Sequence, residues 1–589
     1  MVRDVRPHWL WGPAGALLYA AIVAGVLFFR TGAVPAACAA AEGKPVEARF
    51  LVVGAVTDTT VAAWTATLRN EGVPFLRVDP RDVATVPLVA PDGVGRFIAD
   101  VIVSPEVLTT AANARLSAYE QSYGARRVYS RLDRPLAGLA VPGVQQDLGG
   151  RVAVLTAAGT KVFPYLRGPV PIDADPGRLA VAGPGVTPLL TLGGRTLVAT
   201  LRRPDGVDEL AVTVGAGPKR IHSLLLAPGL IAWAANGALT SSWTPFLTVH
   251  VDDILLPSFT WIAKLHSSGY AAGILTPSNL GEYTVRMTAD DVRYAAAWER
   301  RQHFTLDLGL NGFALGGDCG PLVRAVVSAR NDFRWFNHTF QHLNLDETST
   351  KVDIQQISEN LSWAKARGIP LRSWELVTGE HSGLDNPAIV PAFAATGIRV
   401  FGSDASRRQD PYRLGPATAL PREPMNIFQD AATRAQELSE FNWRVVAGPG
   451  CTTSGCLPEP LTWAEFRTRE ARRVLGLVLA NNPRPSYAHE SNLAEDRILL
   501  DVLGLTLAEY RHAVKTPIAQ PDMTAALRAL QRRLAWERAV STGKARVVRR
   551  GTTLVLTSSV AVEAPVTVPG KAVRWYALTP DRARTVPVP

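Results

Sequence analysis

The stretch Phe246-Leu247-Thr248-Val249-His250-Val251-Asp252-Asp253 is a predicted hydrophobic strand that ends in two adjacent carboxylates. Neighbouring residues of a strand project to opposite faces, so the two carboxylates can perform different tasks at the strand end. One can bind a metal ion while the other acts on a water molecule. The alternative is a helix N-cap or a solvated turn, which needs one Asp and not a strand-terminal pair behind a histidine.

The segment from about 221 to 515, which contains this stretch, alternates short apolar runs with helical patterns. Its strand candidates are Phe246–Val251, Phe304–Leu308, Trp335–Asn337, Leu371–Leu376, Val400–Gly402 and Val474–Leu479. The apolar spacing of Val352–Arg367 predicts a helix between two of them. Repeated strand–helix units of this length predict a (β/α) barrel, complete or distorted.

A pair of histidines follows the strand candidate at Trp335–Asn337. His338 and His342 lie four positions apart in Asn337-His338-Thr339-Phe340-Gln341-His342. On a helical turn, such histidines point to the same side and reach one metal ion. The alternative is a pair of histidines on a helix surface. One Asp and these two histidines would supply three ligands and leave a position open for water and substrate.

The residues before the barrel segment predict two smaller modules. Between 45 and 130, strands alternate with helices at Thr60–Asn70 and Ala112–Tyr123, which is typical of a small α/β domain. The glycines after the first strand do not form G-x-G-x-x-G, so a dinucleotide site is not supported. From 131 to 220, short alternating runs separated by turn residues predict a β-sandwich-like module.

The last segment, 516–589, combines a predicted helix at Met523–Val540 with a β-like tail at Ala545–Val560. We expect this tail to pack on the middle module. The predicted fold class is multidomain α/β: a distorted (β/α) barrel with a β-sandwich-like module and a small N-terminal α/β domain.

Residues 1–30 have the pattern of a signal anchor or a signal peptide. Arg3 and Arg6 precede the uncharged stretch Trp9–Phe29, which Arg30 closes. A helix of about 20 apolar residues spans a bilayer, and the small residues that follow also suit signal-peptidase cleavage. Both interpretations predict an extracytoplasmic protein, membrane-anchored or secreted.

Composition excludes several classes of protein. Of the 589 residues, 47% are hydrophobic and 19% are charged, which does not fit a disordered chain. The net charge is +10, but the basic residues are scattered along the chain. Nucleic-acid binding is therefore disfavoured relative to a solvated basic surface or attraction to an anionic cell envelope.

The four cysteines do not make a disulfide framework in a chain of this length. Cys451 and Cys456 bracket a turn-rich loop that is short enough to close in one local disulfide. The isolated Cys319 is more typical of a small buried hydrophobe than of a nucleophile.

Two motifs resemble those of metal-dependent polysaccharide deacetylases. His250-Val251-Asp252-Asp253 is similar to their T-F-D-D motif, and His338-Thr339-Phe340-Gln341-His342 matches their H-[ST]-x-x-H motif. The wider pattern resembles carbohydrate esterase family eighteen, whose characterised members deacetylate the biofilm polysaccharide galactosaminogalactan. Further similar stretches are 378–383, 401–404 and 487–493. The resemblance implies a deacetylase domain coupled to a β-rich carbohydrate-binding module.

The resemblance also implies roles for individual residues. Asp252 would be the catalytic base, and Asp253, His338 and His342 would bind Zn²⁺ or another divalent metal. His489 would be the general acid, and an ordinary histidine pKa near 6.5 would suit that role.

Other residues are expected to surround this group. His381 competes with His489 for the role of acid. We also expect Glu380, His381 and Asp404 to face substrate, and His250 to orient a neighbour.

The sequence departs from the deacetylase pattern at two points. Position 250 is His where the superfamily has Thr or Ser, and no clean R-x-P-[FY] motif is present to hold the base. Arg407 and Arg422 are the two candidates to replace that arginine.

The function implied by the resemblance is extracytoplasmic, metal-dependent hydrolysis of acetamides on N-acetylated amino-sugar polysaccharide, with water as co-substrate. An O-acetyl esterase using the same metal site is one alternative. A cell-surface carbohydrate-binding protein with an inactive barrel is the other. We expect the β-rich segment to bind polysaccharide, with Phe163 and Tyr165 as candidates for stacking on sugar rings.

Overall fold

A mixed β-sheet organises the amino-terminal part of the structure. The computed structural model describes residues 43–588 except 174, 238, 277, 315–318, 454, 569–571 and 581. The predicted anchor or signal segment, 1–30, lies outside the described residues. In chain order the elements of this part are β1 (Val46–Glu47), β2 (Phe50–Val53), α1 (Thr59–Glu71), β3 (Phe75–Val78), β4 (Ala99–Ile102), α2 (Thr110–Tyr123), β5 (Arg126–Tyr129), β6 (Leu139–Ala140), β7 (Gln146–Asp147), β8 (Val152–Leu155), α3 (Gly159–Val162), β9 (Pro169–Pro171), β10 (Pro176–Gly177), β11 (Val181–Ala182), β12 (Val186–Leu192), β13 (Arg195–Arg202), β14 (Asp208–Val212) and α4 (Ile221–Ala234).

The two predicted amino-terminal modules share one sheet. Its described strands run in the order β3-β2-β4-β5-β14-β13-β12-β8-β9. The join is the parallel pairing of β5 with β14, in which Val128 lies opposite Leu210. The predicted boundary at 130/131 therefore falls inside a continuous sheet, because β14 returns from the β-rich segment to complete the α/β half.

The stacking role predicted for Phe163 is wrong. Its side chain is 0% exposed and belongs to the apolar core, so no sugar can reach its ring. Tyr165 is partly buried and hydrogen-bonds through its hydroxyl to the backbone of α4. Apolar residues of this segment and of α4 share one core.

The second part of the chain alternates strands and helices. Its elements are β15 (Val249–Asp252), β16 (Ser258–Phe259), β17 (Trp261–Ile262), β18 (Ser267–Ser268), β19 (Thr284–Val285), α5 (Ala289–Gln302), β20 (Asp307–Leu310), α6 (Pro321–Ser328), β21 (Arg334–Asn337), α7 (Thr350–Ala366), β22 (Leu371–Leu376), α8 (Ile389–Thr396), β23 (Val400–Asp404), β24 (Arg413–Leu414), β25 (Ala417–Pro424), α9 (Arg434–Val445), α10 (Trp463–Leu479), β26 (Ser486–His489), α11 (Ile498–Ala513) and α12 (Met523–Ser541).

The described strands of this part close into a barrel, which confirms the predicted architecture. Going round, the order is β15-β20-β21-β22-β23-β25-β26, and β26 pairs with β15 again. Every pairing around the ring is parallel. The carboxyl ends of these seven strands therefore meet at one face, where barrel enzymes place their functional groups.

One predicted barrel strand is wrong. Val474–Leu479 forms the last turns of α10 and not a strand. The helix begins at a capping box in which the side chains of Thr462 and Glu465 accept hydrogen bonds from each other's backbone N–H groups. The predicted strand covers only the last apolar residues of this helix. Two strands of the ring, β25 and β26, were not among the predicted strands.

The amino end of α12 closes the floor of the barrel. Met523, Leu527 and Leu530 pack against Phe336 and Leu420, which lie on barrel strands. The backbone N–H and hydroxyl of Thr524 also donate to a buried glutamate of β22. The barrel is therefore filled and open to ligands only at the carboxyl ends of its strands.

The carboxyl-terminal tail packs on the first strand rather than on the middle module. It contains β27 (Ala545–Arg550), β28 (Thr553–Ser558), β29 (Val562–Val566), β30 (Arg574–Leu578) and β31 (Arg584–Pro587). Strands β1, β27, β28 and β31 form a sheet in that order. The indole N–H of Trp536 in α12, which is fully buried, donates to the carbonyl of Gly72. The start and end of the described chain are thus joined.

Two further sequence expectations concern the cysteines. Cys451 and Cys456 form a disulfide. Cys319 is exposed, so its predicted burial is wrong. In the described part of the chain, no helix combines the length and apolar character needed to cross a bilayer.

Candidate active site

Polar side chains from widely separated strands meet at the carboxyl face of the barrel. Asp252 is the last residue of β15, and His489 is the last residue of the neighbouring strand β26. The two are direct partners in the parallel register. Arg422 comes from β25, the next strand around the ring. Strand order therefore places a carboxylate, an imidazole and a guanidinium together.

Asp252 is held by a bidentate ion pair with Arg422. Nη1 and Nη2 of Arg422 donate to Oδ1 and Oδ2 of Asp252, each over 2.9 Å. Both side chains are almost completely buried. Burial would raise the pKa of Asp252, but the charge and hydrogen bonds of Arg422, together with the charges of His338 and His489, outweigh burial and keep this pKa well below its usual range. Asp252 is therefore ionised and can accept a proton at neutral pH.

Arg422 also contacts two other groups at this face. Its Nη2 lies 2.7 Å from Nε2 of His381, and the guanidinium lies 4.4 Å from the ring centre of Tyr487. Burial first, and then the charge of Arg422, lower the pKa of His381 well below the usual value. A neutral His381 accepts from the arginine, so it supports the pair with Asp252 rather than carrying a proton itself.

A second group, Asp253, His338 and His342, forms a compact cluster of three metal-ligating side chains. Oδ1 of Asp253 lies 3.2 Å from Nε2 of His338 and 3.3 Å from Nε2 of His342. Ligands at about 2.0–2.1 Å from a tetrahedral zinc ion are roughly 3.3 Å apart. The spacing of the carboxylate from both imidazoles therefore fits one divalent ion.

The hydrogen bonds of His338 fix which nitrogen faces the cluster. Nδ1 lies 2.9 Å from the carbonyl oxygen of Val377, which can only accept, so Nδ1 carries the proton in the neutral ring. Nε2 then presents a lone pair toward Oδ1 of Asp253. Within the described residues both atoms are buried and lack a hydrogen-bond partner. A proton on Nε2 or a metal ion between the two atoms would satisfy both, so the arrangement suits a bound cation.

The charges around the cluster favour the same conclusion. Burial lowers the pKa of His338, but Asp252 and Asp253 outweigh burial and raise it. Burial raises the pKa of Asp253, but His342 and His338 outweigh burial and lower it. The site therefore stabilises a positive charge among these side chains. The chemistry of the donor set, one carboxylate and two imidazoles, suits zinc.

The predicted helical turn for His338 and His342 is wrong. The segment after β21 is a loop, with Thr339 and His342 in the left-handed backbone region (φ 63° and 58°). With this backbone, the ring centres of His338 and His342 lie 5.1 Å apart. Asp253 also has a positive φ, 69°, which turns its carboxylate away from the direction of β15.

Amide side chains hold this histidine loop in shape. Asn311 Nδ2 donates to the carbonyls of His338 and Thr339, over 2.6 and 3.0 Å. Gln356, from α7, accepts from the backbone N–H of Gln341 at 2.8 Å. The loop has no helical hydrogen bonds of its own, so these contacts replace them.

Gly379 makes room for one ligand. A Cβ atom at this position would lie 2.8 Å from Cδ2 of His342. The turn that follows β22 therefore passes directly against the imidazole. Any larger residue at 379 would displace the ring from the cluster.

His489 faces the two carboxylates from the neighbouring strand. Burial lowers its pKa below the usual value, while the charges of Asp252 and Asp253 act in the opposite direction. This differs from the expected ordinary pKa, because the ring lies inside the site rather than at its edge. The next residue, Glu490, is buried and accepts from the backbone N–H of Met287 at 3.1 Å.

The remaining predicted site residues lie at the edge or below the site. Glu380 is exposed and accepts from Asn344. Asp404 pairs weakly with Arg407, whose side chain is 72% exposed, so Arg422 and not Arg407 holds Asp252. His250 lies on the barrel side of β15, where its Nε2 is 3.6 Å from Asp307, and it makes no hydrogen bond to the ligand cluster within the described residues.

Sequence analysis missed Tyr487 and Asn311 as site residues and left Arg422 unresolved. Arg422 lies in a short apolar run, Ala417–Pro424, whose prolines hid the strand. The apolar run was the only local feature that could have predicted β25. Nothing in the nearby sequence shows that β25 lies two strands from β15, where Arg422 reaches Asp252.

A comparison with solved structures identifies the fold. The carbohydrate deacetylase Agd3 aligns over 92% of this chain and 99% of its own, with a TM-score of 0.74 and 16% sequence identity. The chain has the Agd3 fold. This confirms, for the architecture, the predicted resemblance to carbohydrate deacetylases.

Other comparisons are weaker. A candidate polysaccharide deacetylase from Mycobacterium smegmatis aligns over 48% of this chain and 96% of its own, with 11% identity and a TM-score of 0.28. A CE4-family pseudoenzyme from Bacillus anthracis aligns over 46% of this chain and 62% of its own, with 9% identity and a TM-score of 0.22. No protein-family profile matches the sequence, and no curated protein is detectably similar.

The cluster predicts the metal content of single variants. We expect purified His338→Ala and His342→Ala each to lose bound divalent metal, because three protein ligands leave none to spare. His266→Ala is the matched control, since that ring stacks on Trp443 outside the cluster. Metal analysis after dialysis is the measurement. Full occupancy in either ligand variant would contradict the assignment.

Proposed function

We propose that the protein is a metal-dependent hydrolase that removes acetyl groups from N-acetylated amino sugars in a polysaccharide. The observation that carries the proposal is the juxtaposition of two groups. Asp253, His338 and His342 converge on one point, and Oδ1 of Asp253 and Nε2 of His338 are buried there without a hydrogen-bond partner among the described residues. Asp252, ionised by Arg422, and His489 lie directly beside them.

A divalent ion bound by the three ligands would supply Lewis-acid activation of an acyl carbonyl and of water. Three protein ligands leave coordination positions for both. Zinc fits the donor set, and we include it in the proposal.

Asp252 acts on the water in this scheme. Its carboxylate lies next in sequence to a metal ligand and is held rigidly by two hydrogen bonds from Arg422. It accepts the proton that water releases as the water oxygen bonds to the acetyl carbon. The arginine keeps the carboxylate oriented, and His381 on the other edge of the guanidinium limits its movement.

His489 completes the proton transfer. The C–N bond breaks as the sugar nitrogen takes a proton from the imidazole, and acetate and a free amine result. Burial lowers the pKa of His489, which makes its protonated ring a stronger acid toward the departing nitrogen, and the proton that Asp252 took from water restores it. Its position opposite Asp252 in the strand register allows that exchange.

The proposed substrate is a GalNAc- or GlcNAc-containing exopolysaccharide of the galactosaminogalactan type. The description of Agd3 as a carbohydrate deacetylase supports a carbohydrate. Exposed aromatic rings near the site suit packing against sugar rings. Tyr270 is 70% exposed and stacks on Phe259, shortly after β15, while Phe313 is 40% exposed and contacts Phe340 of the histidine loop.

The first prediction separates the two neighbouring aspartates. Asp253→Asn should lower both metal content and acetate release, because it removes a charged ligand. Asp252→Asn should keep the metal and lose about 10²–10⁴-fold in acetate release, as expected for loss of a general base. Metal analysis and an acetate assay on an N-acetylated amino-sugar oligomer measure both. Near wild-type turnover in Asp252→Asn would assign the base to a different group, whereas a wild-type protein that binds the oligomer and releases no acetate would be a carbohydrate-binding protein with an inactive barrel.

The second prediction concerns the acid. His489→Ala should retain metal and lose more activity on N-acetyl than on matched O-acetyl substrates, because an amine is the poorer leaving group and needs the proton more. Acetate release from the two substrates gives the ratio. Equal losses on both would remove His489 from the role of acid. A wild-type protein that cleaves only the O-acetyl substrate would be an esterase.

The proposed location is outside the cytoplasm, through residues 1–30. It is supported by the uncharged stretch Trp9–Phe29 between flanking arginines. We expect a chain lacking 1–30 to remain in the cytosol and the full chain to reach the membrane or the medium. Cell fractionation measures this, and intact full-length protein in the cytosol would contradict it.

A further inference from the structure

A second cavity lies away from the metal site, where the amino-terminal sheet, the barrel and the carboxyl-terminal tail meet. Its volume is about 500 Å³, which is within the range of small-molecule sites. The walls come from α1, α4, the connection before β15, the segment after α11 and the tail. None of its lining residues belongs to the metal site.

One wall of the cavity contains a buried carboxyl group. Glu71, the last residue of α1, is 2% exposed. Its Oε2 accepts from the hydroxyl of Ser241 at 2.7 Å. Its Oε1 is buried and has no hydrogen-bond partner in the described part of the chain. An unsatisfied carboxyl oxygen at a cavity wall is unfavourable unless a ligand completes it.

Glu71 has no cationic partner in the described part of the chain. Among the described residues no basic side chain forms an ion pair with it, and Lys515, at the cavity rim, donates to the carbonyl of Pro164. Burial therefore raises the pKa of Glu71 to about 7. A cationic donor that enters the cavity would stabilise the ionised carboxylate of Glu71 and would also give Oε1 a hydrogen bond.

The other walls are aromatic and apolar. Tyr165 and Trp243 both line the cavity, with ring centres 5.1 Å apart. The tyrosine hydroxyl is bonded to backbone groups of α4, and the indole N–H donates to the carbonyl of Leu479. Their polar atoms are therefore used within the protein, and only ring surface remains for a ligand. Aromatic faces attract cations and pack against compact ring-shaped ligands.

We propose that this cavity binds a monosaccharide-sized amino sugar whose protonated amine bonds Oε1 of Glu71. The carboxylate recognises the ammonium group, and Tyr165 and Trp243 pack on the sugar ring. The hydroxyls of Thr244 and Thr567 at the wall donate to backbone carbonyls, so they can accept hydrogen bonds from the hydroxyls of the sugar. The choice of a sugar as the carrier of the amine rests on the proposed function, because deacetylation creates that amine.

The test is calorimetric titration of the full chain, stripped of metal with a chelator, with glucosamine, N-acetylglucosamine and glucose as probes. Glucosamine should bind at least about tenfold more tightly than the other two, a difference of about 1.4 kcal/mol. Removing the metal prevents the probes from binding to it, and Ala232→Phe separates binding in this cavity from binding of the amine by the carboxylates of the active site. A failure of the deacetylase assignment therefore leaves the result interpretable.

Two variants locate the binding. Glu71→Gln keeps the acceptor for Ser241 but loses the charge, so it should weaken glucosamine binding at least about tenfold. Ala232→Phe should fill the cavity and abolish binding, and it decides the question if Glu71→Gln does not fold. Glu437→Gln is the matched control, a buried acid elsewhere with a raised pKa, and should bind as the wild type does.

Three results would overturn the proposal. One is the absence of glucosamine binding to the wild-type protein. Another is equal affinity for glucose and glucosamine, which would indicate a neutral sugar or an unspecific cavity. The third is unchanged glucosamine binding in Ala232→Phe, which would place the amine elsewhere.

Discussion

The buried ion pair between Asp252 and Arg422 is the constraint on which the barrel and its site both depend. Removing two charges from water is unfavourable by several kcal/mol per ion, and only close, bidentate geometry offsets that penalty. The partners are 170 positions apart in the sequence. They meet only when β25 inserts between β23 and β26 and the ring closes. Gly402 on β23 helps, since a Cβ there would lie 3.1 Å from Nε of Arg422.

The two halves of the site are built differently. Asp252, Arg422 and His489 lie on strands, whose register fixes their relative positions. Asp253, His338 and His342 lie just beyond strands, on backbone that takes left-handed conformations or is held by amide side chains. Strands suit groups that must stay oriented for proton transfer. Loops allow three ligands to converge on one point that no single element could reach.

The amino-terminal sheet and the barrel share one apolar core, which runs from Phe50 through α4 to the outer helices of the barrel. Helix α4 is apolar nearly all round, and it packs between the sheet and α10. The carboxyl-terminal tail is also connected to the amino-terminal part, because β27 pairs with β1. With the parts so firmly joined, a cavity between them, such as that around Glu71, has walls of defined shape. This is a condition for selective binding.

The sequence by itself determined those features that are local. The alternation of apolar runs with helical patterns predicted the barrel, and the two short motifs identified Asp252, Asp253, His338 and His342, because each motif follows a recognisable strand. The turn-rich loop between Cys451 and Cys456 likewise indicated its disulfide. Helix starts and strand ends are marked by residues only a few positions apart, so a single chain is enough to find them.

Only the tertiary structure decided the rest. It chose Arg422 over Arg407, replaced the predicted strand at Val474–Leu479 with a helix, and added β25 and β26 to the ring. It also joined two predicted modules in one sheet through β5 and β14. It also turned the histidine pair into a loop and buried Phe163. In each case the deciding contact joins residues distant in the chain, and local patterns carry no information about which distant segments pair. The physical reason is that burial and strand pairing are settled by the packing of the whole chain, and that packing overrides local preference.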